Sequence, residues 1–500
     1  EEWIAAMGYT AVGIDGALFS TSEALRLTAY FSKKGIQLAI NFKPYEAVWP
    51  DRPAFPQGKL MVFQASFSGE SVKSKLERLR TVLTSEEANC LTVASLDDIA
   101  WLMNIRGSDV DFNPVAMAYV FVSQHRCILF IASEKITPEV REHLVESGVE
   151  LAGYGDFGAF IEQLEHVRIL FDKDRNNFGT YQRLDSSCSI IEKRMPVADM
   201  KAVKNPTELA GFREAMIKDG VALVKLFKWI EEVTNPAKLT KEPFPDEWTI
   251  GEKAAALRKE QGQYLSESFA PIVSFREHGA IVHYEAERDN CKTVCGEGVL
   301  LMDLGAHFLN GSTDVTRTIY LNGTPPLQYK DDYTCLLKGV IALTKAVFPE
   351  GTRGSQLDIL ARQFIWERGL NFLHGTGHGI GHCLYVHEGP QSIRMNENPV
   401  TIQPGMVMSN EPGVYRAGAY GVRIENAIHA IEKGTYEAGR FFTFETLTLV
   451  PLDLNSMNQD LLTQAEKEWI NTYHQKIYEK LSPRLTHEEC SWLKAKTTKI

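Results

Sequence analysis

The chain has 500 residues, 44% of them hydrophobic and 23% charged; at about 100–200 residues per domain this gives two to four self-sufficient cores and excludes a mostly disordered chain. Its 53 basic against 64 acidic residues leave a net charge of −11, a field that repels phosphate and argues against a nucleic-acid or anionic-membrane binder. Eight scattered cysteines, only Cys291 and Cys295 close together, make neither a disulfide scaffold nor a zinc signature, and no apolar run reaches the roughly 20 residues of a membrane helix, so reduced thiols in a cytoplasmic protein are expected.

The sequence opens on Glu1-Glu2-Trp3 without a Met, which implies a missing upstream segment. Residues 11–14 and 37–40 read as short strands around an amphipathic helix at 22–34. The stretch 44–56, with Trp49-Pro50-Asp51-Arg52-Pro53 inside it, lacks periodicity and reads as a linker. A helix at 75–83, a strand at 90–93, a helix at 96–103 and strands at 116–122 and 127–131 alternate as in an α/β domain. Residues 199–206 are polar and end in Asn205-Pro206, a domain boundary by composition. Helices follow at 207–233 and 249–261, then strands and glycine-rich turns up to residue 459, then charged helical segments.

Residues able to do chemistry concentrate between 280 and 425. Asp303 lies in Leu-Leu-Met-Asp-Leu-Gly-Ala, Asp314 in Ser-Thr-Asp-Val-Thr-Arg-Thr, and His378 in His-Gly-Thr-Gly-His-Gly-Ile-Gly-His. Glu411 lies in Ser-Asn-Glu-Pro-Gly-Val-Tyr and Glu425 in Gly-Val-Arg-Ile-Glu-Asn. Four carboxylates and one imidazole suit two borderline-hard divalent ions, Mn²⁺ before Zn²⁺ or Co²⁺ because oxygen dominates the set. Two such ions about 3.5–4 Å apart can share a hydroxide and polarise a carbonyl. Asp303 follows a buried-looking strand at 298–302, and Glu425 sits in an apolar strand-like stretch at 421–431, so each needs a partner. Glu411 falls where a strand meets a turn. His283, within 279–284, reads as an ordinary strand histidine. Four of the thirteen histidines fall between 374 and 387, among glycines that give a flexible backbone able to approach a ligand.

The spacing of Asp303 and Asp314 poses a geometric problem. Asn310-Gly311 is a hairpin signal, and a two-residue turn there places Asp314 opposite His307. Asp303 would then lie four residues further along, about 13 Å away and too far for one bimetal site. Either the register differs or a bulge intervenes at residues 308–311.

Taken in order, the five motifs resemble those of the pita-bread metallopeptidases, and more closely the three-domain Xaa-Pro aminopeptidases of the aminopeptidase P type. Shared signatures are His374-Gly375-Thr376-Gly377-His378, Val386-His387-Glu388-Gly389-Pro390, Asn104-Ile105-Arg106-Gly107-Ser108-Asp109 and Trp49-Pro50-Asp51-Arg52-Pro53. The resemblance covers essentially the whole chain. It implies an α/β (α+β) fold with the remainder of a first creatinase N-terminal-like domain over 1–69. A second such domain would span 70–197, and a pita-bread catalytic domain with a helical C-terminal extension 198–500.

For the site, the resemblance implies that Asp303, Asp314, His378, Glu411 and Glu425 bind two metals, with Asp314 and Glu425 bridging. A hydroxide held by both metals would be the nucleophile, and Glu411 would also carry its proton to the leaving nitrogen. His283 and His387 would hydrogen-bond the peptide carbonyl and its oxyanion, with His374 and Arg423 as substrate-side groups. Peptides with proline second, a homodimer and a cytoplasmic location follow from the same resemblance; His382 has no assigned role. Prolidase shares the ligand set but takes only dipeptides, and the three-domain length points away from it. Creatinase-like enzymes and non-catalytic pita-bread binding modules lack this set.

Overall fold

The structure is a computed structural model that describes residues 1–236 and 243–500. The chain forms two compact units, Glu1–Lys201 and Ala202–Ile500.

The first unit is built on a mixed six-stranded sheet whose spatial order is Ser189–Glu192, Arg168–Phe171, Cys90–Val93, Ala118–Ser123, Cys127–Ile131, Glu150–Ala152. Cys90–Val93 and Cys127–Ile131 are buried at every position, as expected of central strands covered on both faces. Helix Val72–Ser85 is capped by Ser71 and buries Val72, Leu76, Leu79 and Leu83, a spacing of three to four residues that keeps them on one face. A smaller parallel pair, Ala11–Gly13 with Gln37–Ala39, carries helix Thr21–Ser32. The 44–56 stretch is irregular apart from one helical turn, Tyr45–Val48. The Asn104–Asp109 signature serves as a pair of locks inside this unit. Lys75 Nζ donates to Asn104 Oδ1 at 2.6 Å, and Lys135 pairs with Asp109 at 2.5 Å, both side chains fully buried.

The second unit repeats one arrangement twice, two helices laid on an antiparallel sheet. Pro206–Val233 and Glu247–Lys259 share a core with strands Ile272–Phe275, Gly298–Leu304 and Val315–Leu321. Leu327–Thr344 and Gly354–Trp366 share another with a six-stranded sheet that includes Gly377–Gly379, Glu388–Ile393, Val407–Asn410 and Asn426–Tyr436. This is the pita-bread architecture. The long helix starts at a capping box, Asn205 with Glu208, and has Pro206 in its first turn. Helices Gln464–Leu481 and His487–Lys496 close the chain, each opened by a threonine capping box.

Two sequence expectations are corrected. His283 is not on a strand: residues 276–280 form a 3₁₀ turn, and His283 lies in the irregular segment after it. The hairpin turns at Leu309-Asn310, because Phe308 pairs with Gly311 and His307 with Ser312.

Arg258 ties helix Glu247–Lys259 to its neighbours through Asp219 and Glu267, each 2.6 Å away, with its own side chain fully buried. Arg258→Met would leave both acids without their cation and should lower unfolding stability by about 3–5 kcal/mol in urea titrations. Loss of the exposed Arg126–Glu150 pair, with both side chains about half exposed, should cost less than about 1 kcal/mol.

Candidate active site

The corrected turn resolves the spacing of the first two acids. Asp303 pairs with Thr316 and Leu304 with Val315, and the same register holds at the hairpin tip, where His307 pairs with Ser312. Carried across the intervening break, it sets Asp314 opposite Gly305 and diagonal to Asp303 on one face of the hairpin. Of the two alternatives, the register was the one that differed. Gly305 is required there: its carbonyl accepts from the Ser268 amide at 3.0 Å, and a Cβ would meet Phe269 at 2.6 Å.

The remaining donors come from strand ends. Glu425 lies between strands Tyr420–Arg423 and Asn426–Tyr436, with its amide bonded to the Thr316 carbonyl at 3.1 Å and Thr316 Oγ1 donating to its carboxylate at 2.9 Å. Glu411 follows strand Val407–Asn410, and Ser409 Oγ donates to its Oε1 at 2.9 Å. His378 is the centre of strand Gly377–Gly379. The flanking glycines are fitted to neighbouring strands, since a Cβ on Gly377 or Gly379 would strike the Ser409 carbonyl or the Gln391 side chain. Close packing, not a flexible backbone, explains them.

These elements bring the four acids and the imidazole together, and Asp303, Asp314, His378 and Glu411 line a cavity of about 520 Å³ with His283, His374, His387 and Arg394. Ligand atoms form three triads, each within 4.8 Å: Asp303–Asp314–Glu425, His378–Glu411–Glu425 and Asp314–His378–His387. Asp314 and Glu425 each belong to two triads. The third also puts His387, which sequence reasoning kept out of the ligand set, within ligand reach. The His378 and His387 rings meet edge to face, 4.4 Å between centroids. His378 Nδ1 donates to the Gly379 carbonyl at 2.9 Å, which leaves Nε2 facing Glu411 and Asp314 at 3.2 and 3.5 Å.

The electrostatics call for cations. Burial, and then the charges of Asp303 and Glu411, hold the Asp314 carboxyl well above its ordinary range against the pull of His378. Burial and the neighbouring acids do the same to Glu425. One carboxylate oxygen each of Asp303 and Glu425 is buried without a hydrogen-bond partner, an expensive state that a metal ion relieves. The donor set therefore fits divalent ions.

Around the acids runs a chain of hydrogen bonds that the sequence reading named only in part. Arg423 contacts Asp303 Oδ2 through Nη2 at 2.7 Å and donates Nη1–H to the Tyr415 hydroxyl at 2.8 Å. Tyr415 in turn bonds His374 Nε2 at 2.9 Å, while His374 Nδ1 donates to the Gly375 carbonyl at 2.8 Å. Both nitrogens of His374 are thus engaged, and Tyr415 holds it in place. Tyr415, Ser409 and Thr316 were missed as site residues although each lies within a motif that was read. His382 is buried, with its ring edge to face on that of Phe212, 5.3 Å between centroids.

Residues 51–208 match the creatinase/prolidase N-terminal domain, 210–432 metallopeptidase family M24, and 440–500 the C-terminal region of peptidase M24. A probable Xaa-Pro aminopeptidase P of Botryotinia fuckeliana is 38% identical over 515 residues, covering 99% of this chain and 78% of that protein. The chain belongs to metallopeptidase family M24. Within M24 it groups with the aminopeptidase P relatives; another, from Coccidioides posadasii, is 38% identical over all of this chain and 84% of its own length. A solved X-prolyl aminopeptidase of Caenorhabditis elegans, described as a cytosolic enzyme with a di-nuclear active site, superposes with a TM-score of 0.93 at 31% identity, covering all of this chain and 82% of that one. A Xaa-Pro dipeptidase of Bacillus anthracis, at 23% identity and a TM-score of 0.61 over 77% of this chain and 99% of that one, shares the fold.

Elemental analysis of the Mn²⁺-loaded M24 chain should find about two ions per chain. Glu425→Gln removes a carboxylate common to two triads and should hold about one or fewer.

Proposed function

We propose that this M24 chain is a Xaa-Pro aminopeptidase, which releases the N-terminal residue from peptides whose second residue is proline. The intact buried donor set carries the reading, with its two unpartnered carboxylate oxygens, in a chain that aligns end to end with aminopeptidase P relatives. A dipeptidase reading has weaker support, from neighbours that share the fold at 23% identity or less.

Asp303, Asp314, His378, Glu411 and Glu425 would hold two divalent ions, Mn²⁺ by the predominance of oxygen donors. Bound there, the ions supply Lewis acidity toward the scissile carbonyl and a lowered pKa for water. Glu411 takes the proton from the attacking water as its oxygen bonds to the carbonyl carbon. When the C–N bond breaks, the electron pair goes to the proline nitrogen, and Glu411 delivers the proton to it. Proline makes the scissile bond a tertiary amide without an N–H, so recognition falls on the carbonyl oxygen and the ring. Burial, with His378 close by, lowers His387 to about 4, so at neutral pH it is an uncharged donor for the carbonyl oxygen. His283, at the cavity wall, shares that task. Tyr415 and Arg423 fix His374 and Asp303 on the substrate side.

We also infer a cytoplasmic homodimer. Eight free cysteines and the cytosolic worm neighbour support the location. Exposed Phe42, Trp49 and Phe55 in the first unit support a partner surface, which light scattering would report as two chains per particle.

Tripeptides with proline second should be cleaved at least about 10²-fold faster, in kcat/KM, than their alanine counterparts; equal rates would indicate a general aminopeptidase. His387→Ala should keep its metal yet lose about 10²–10³ in kcat/KM, whereas His378→Ala should lose metal. The reverse outcome would exchange the two roles.

A further inference from the structure

Glu247 opens helix Glu247–Lys259, outside every ligand triad, yet its side chain is fully buried. Four donors converge on its carboxylate. The Phe275 amide donates to Oε1 at 2.6 Å, and the Tyr284 hydroxyl and the Lys292 amide donate to Oε2, each at 2.8 Å. His278 Nδ1 lies 3.0 Å from both oxygens. A carboxylate has about four lone-pair sites, so this one is filled by protein donors and has none left for a ligand.

Those donors share a location. Phe275 ends strand Ile272–Phe275, and His278, Tyr284 and Lys292 lie along the irregular segment after it, which carries His283. Apart from the 3₁₀ turn at Arg276–Ala280 and a single bridge from Thr293 to Asp246, that segment has no regular structure before the strand beginning at Gly298, and the stretch around His283 lies between those two anchors. Tyr284 is 7% exposed, and its ring lies on His278, 4.5 Å between centroids. Both residues line the cavity, but Tyr284 is buried with its hydroxyl on Glu247, whereas its neighbour His283 is exposed.

We propose that Glu247 is a positioning residue for catalysis: acting through Tyr284 and His278, it fixes the segment that presents His283 to the scissile carbonyl. The inference rests on the role given to His283 above. Its physical content is pre-organisation, since a misplacement of about 1 Å at a distance from the chemistry can cost about 10²-fold in rate. A buried charge with four converging donors is a stiff way to prevent it.

The test is a double-mutant cycle on the full-length, metal-loaded enzyme with a Xaa-Pro-Xaa tripeptide. Tyr284→Phe removes one hydroxyl and keeps the ring, and it should lower kcat/KM about tenfold, mostly in kcat, with two ions still bound. Glu247→Gln should lose about 10²-fold. In a His283→Ala background, Tyr284→Phe should change the rate less than about twofold. The same tenfold loss in both backgrounds would mean that Tyr284 acts by folding alone, and would overturn the proposal. No loss from Tyr284→Phe in the parent would overturn it as well. A fully active His283→Ala would overturn the underlying role of His283, and the single variant alone reports that result.

Discussion

Four carboxylates packed within reach of one another are the constraint on which the rest of this protein depends. A pair of like charges 4 Å apart at an effective dielectric constant of 20 repels by about 4 kcal/mol. Several such pairs among Asp303, Asp314, Glu411 and Glu425 exceed the 5–15 kcal/mol or so that holds a typical domain folded. The cluster cannot therefore be fully ionised without cations. The chain offers one guanidinium, Arg423 on Asp303, and one imidazole, His378 between Glu411 and Asp314. The deficit remains on Asp314 and Glu425, the two acids shared between triads.

Holding such a cluster open requires a frame that does not relax. Arg317, almost fully buried, meets that need from behind. Its five N–H groups, one of them shared, face six acceptors: the carbonyls of Thr316, Glu425, Val450 and Pro451, Asn426 Oδ1 and the Tyr473 hydroxyl. One side chain thus joins the strand beside Asp314, the backbone of Glu425 and helix Gln464–Leu481. Helix Gln464–Leu481 belongs to the site in this sense: the strands that carry the acids are fastened to it.

Much of this was legible in the sequence, and the failures have physical causes. The strand at 90–93 and the long helix ending at Val233 were placed to within a residue, because period and capping are local properties. The hairpin tip was misplaced because Asn310-Gly311 satisfies a local turn rule while tertiary contacts choose otherwise. Lys218 Nζ donates to Asn310 Oδ1 at 2.6 Å, and helix residue Gly211 packs on the Asn310 carbonyl with no room for a Cβ. Those contacts hold Asn310 in the turn and Gly311 in the strand, and the shift by one residue brings Asp314 beside Asp303. Glu247 was invisible for a related reason, since its partners lie 28 to 45 residues along the chain, and Tyr415 likewise meets His374 across 41 residues.

The two histidines at the cavity floor show how a single neighbourhood separates roles. Burial opposes the charged form of both. For His378 the bond and charge of Glu411, with Asp314 beyond, outweigh burial and raise it to about 9; for His387 nothing does, and it falls to about 4. Without ions, the proton on His378 is therefore the charge that the acids attract. A metal ion held by His378, as proposed, would take over that function, and metal affinity would then compete with protons there. His387, lowered to about 4 by burial, is uncharged at neutral pH. In the proposed mechanism it would donate to the developing oxyanion while His378 held metal, and that division between binding and catalysis would follow from where each imidazole sits relative to Glu411.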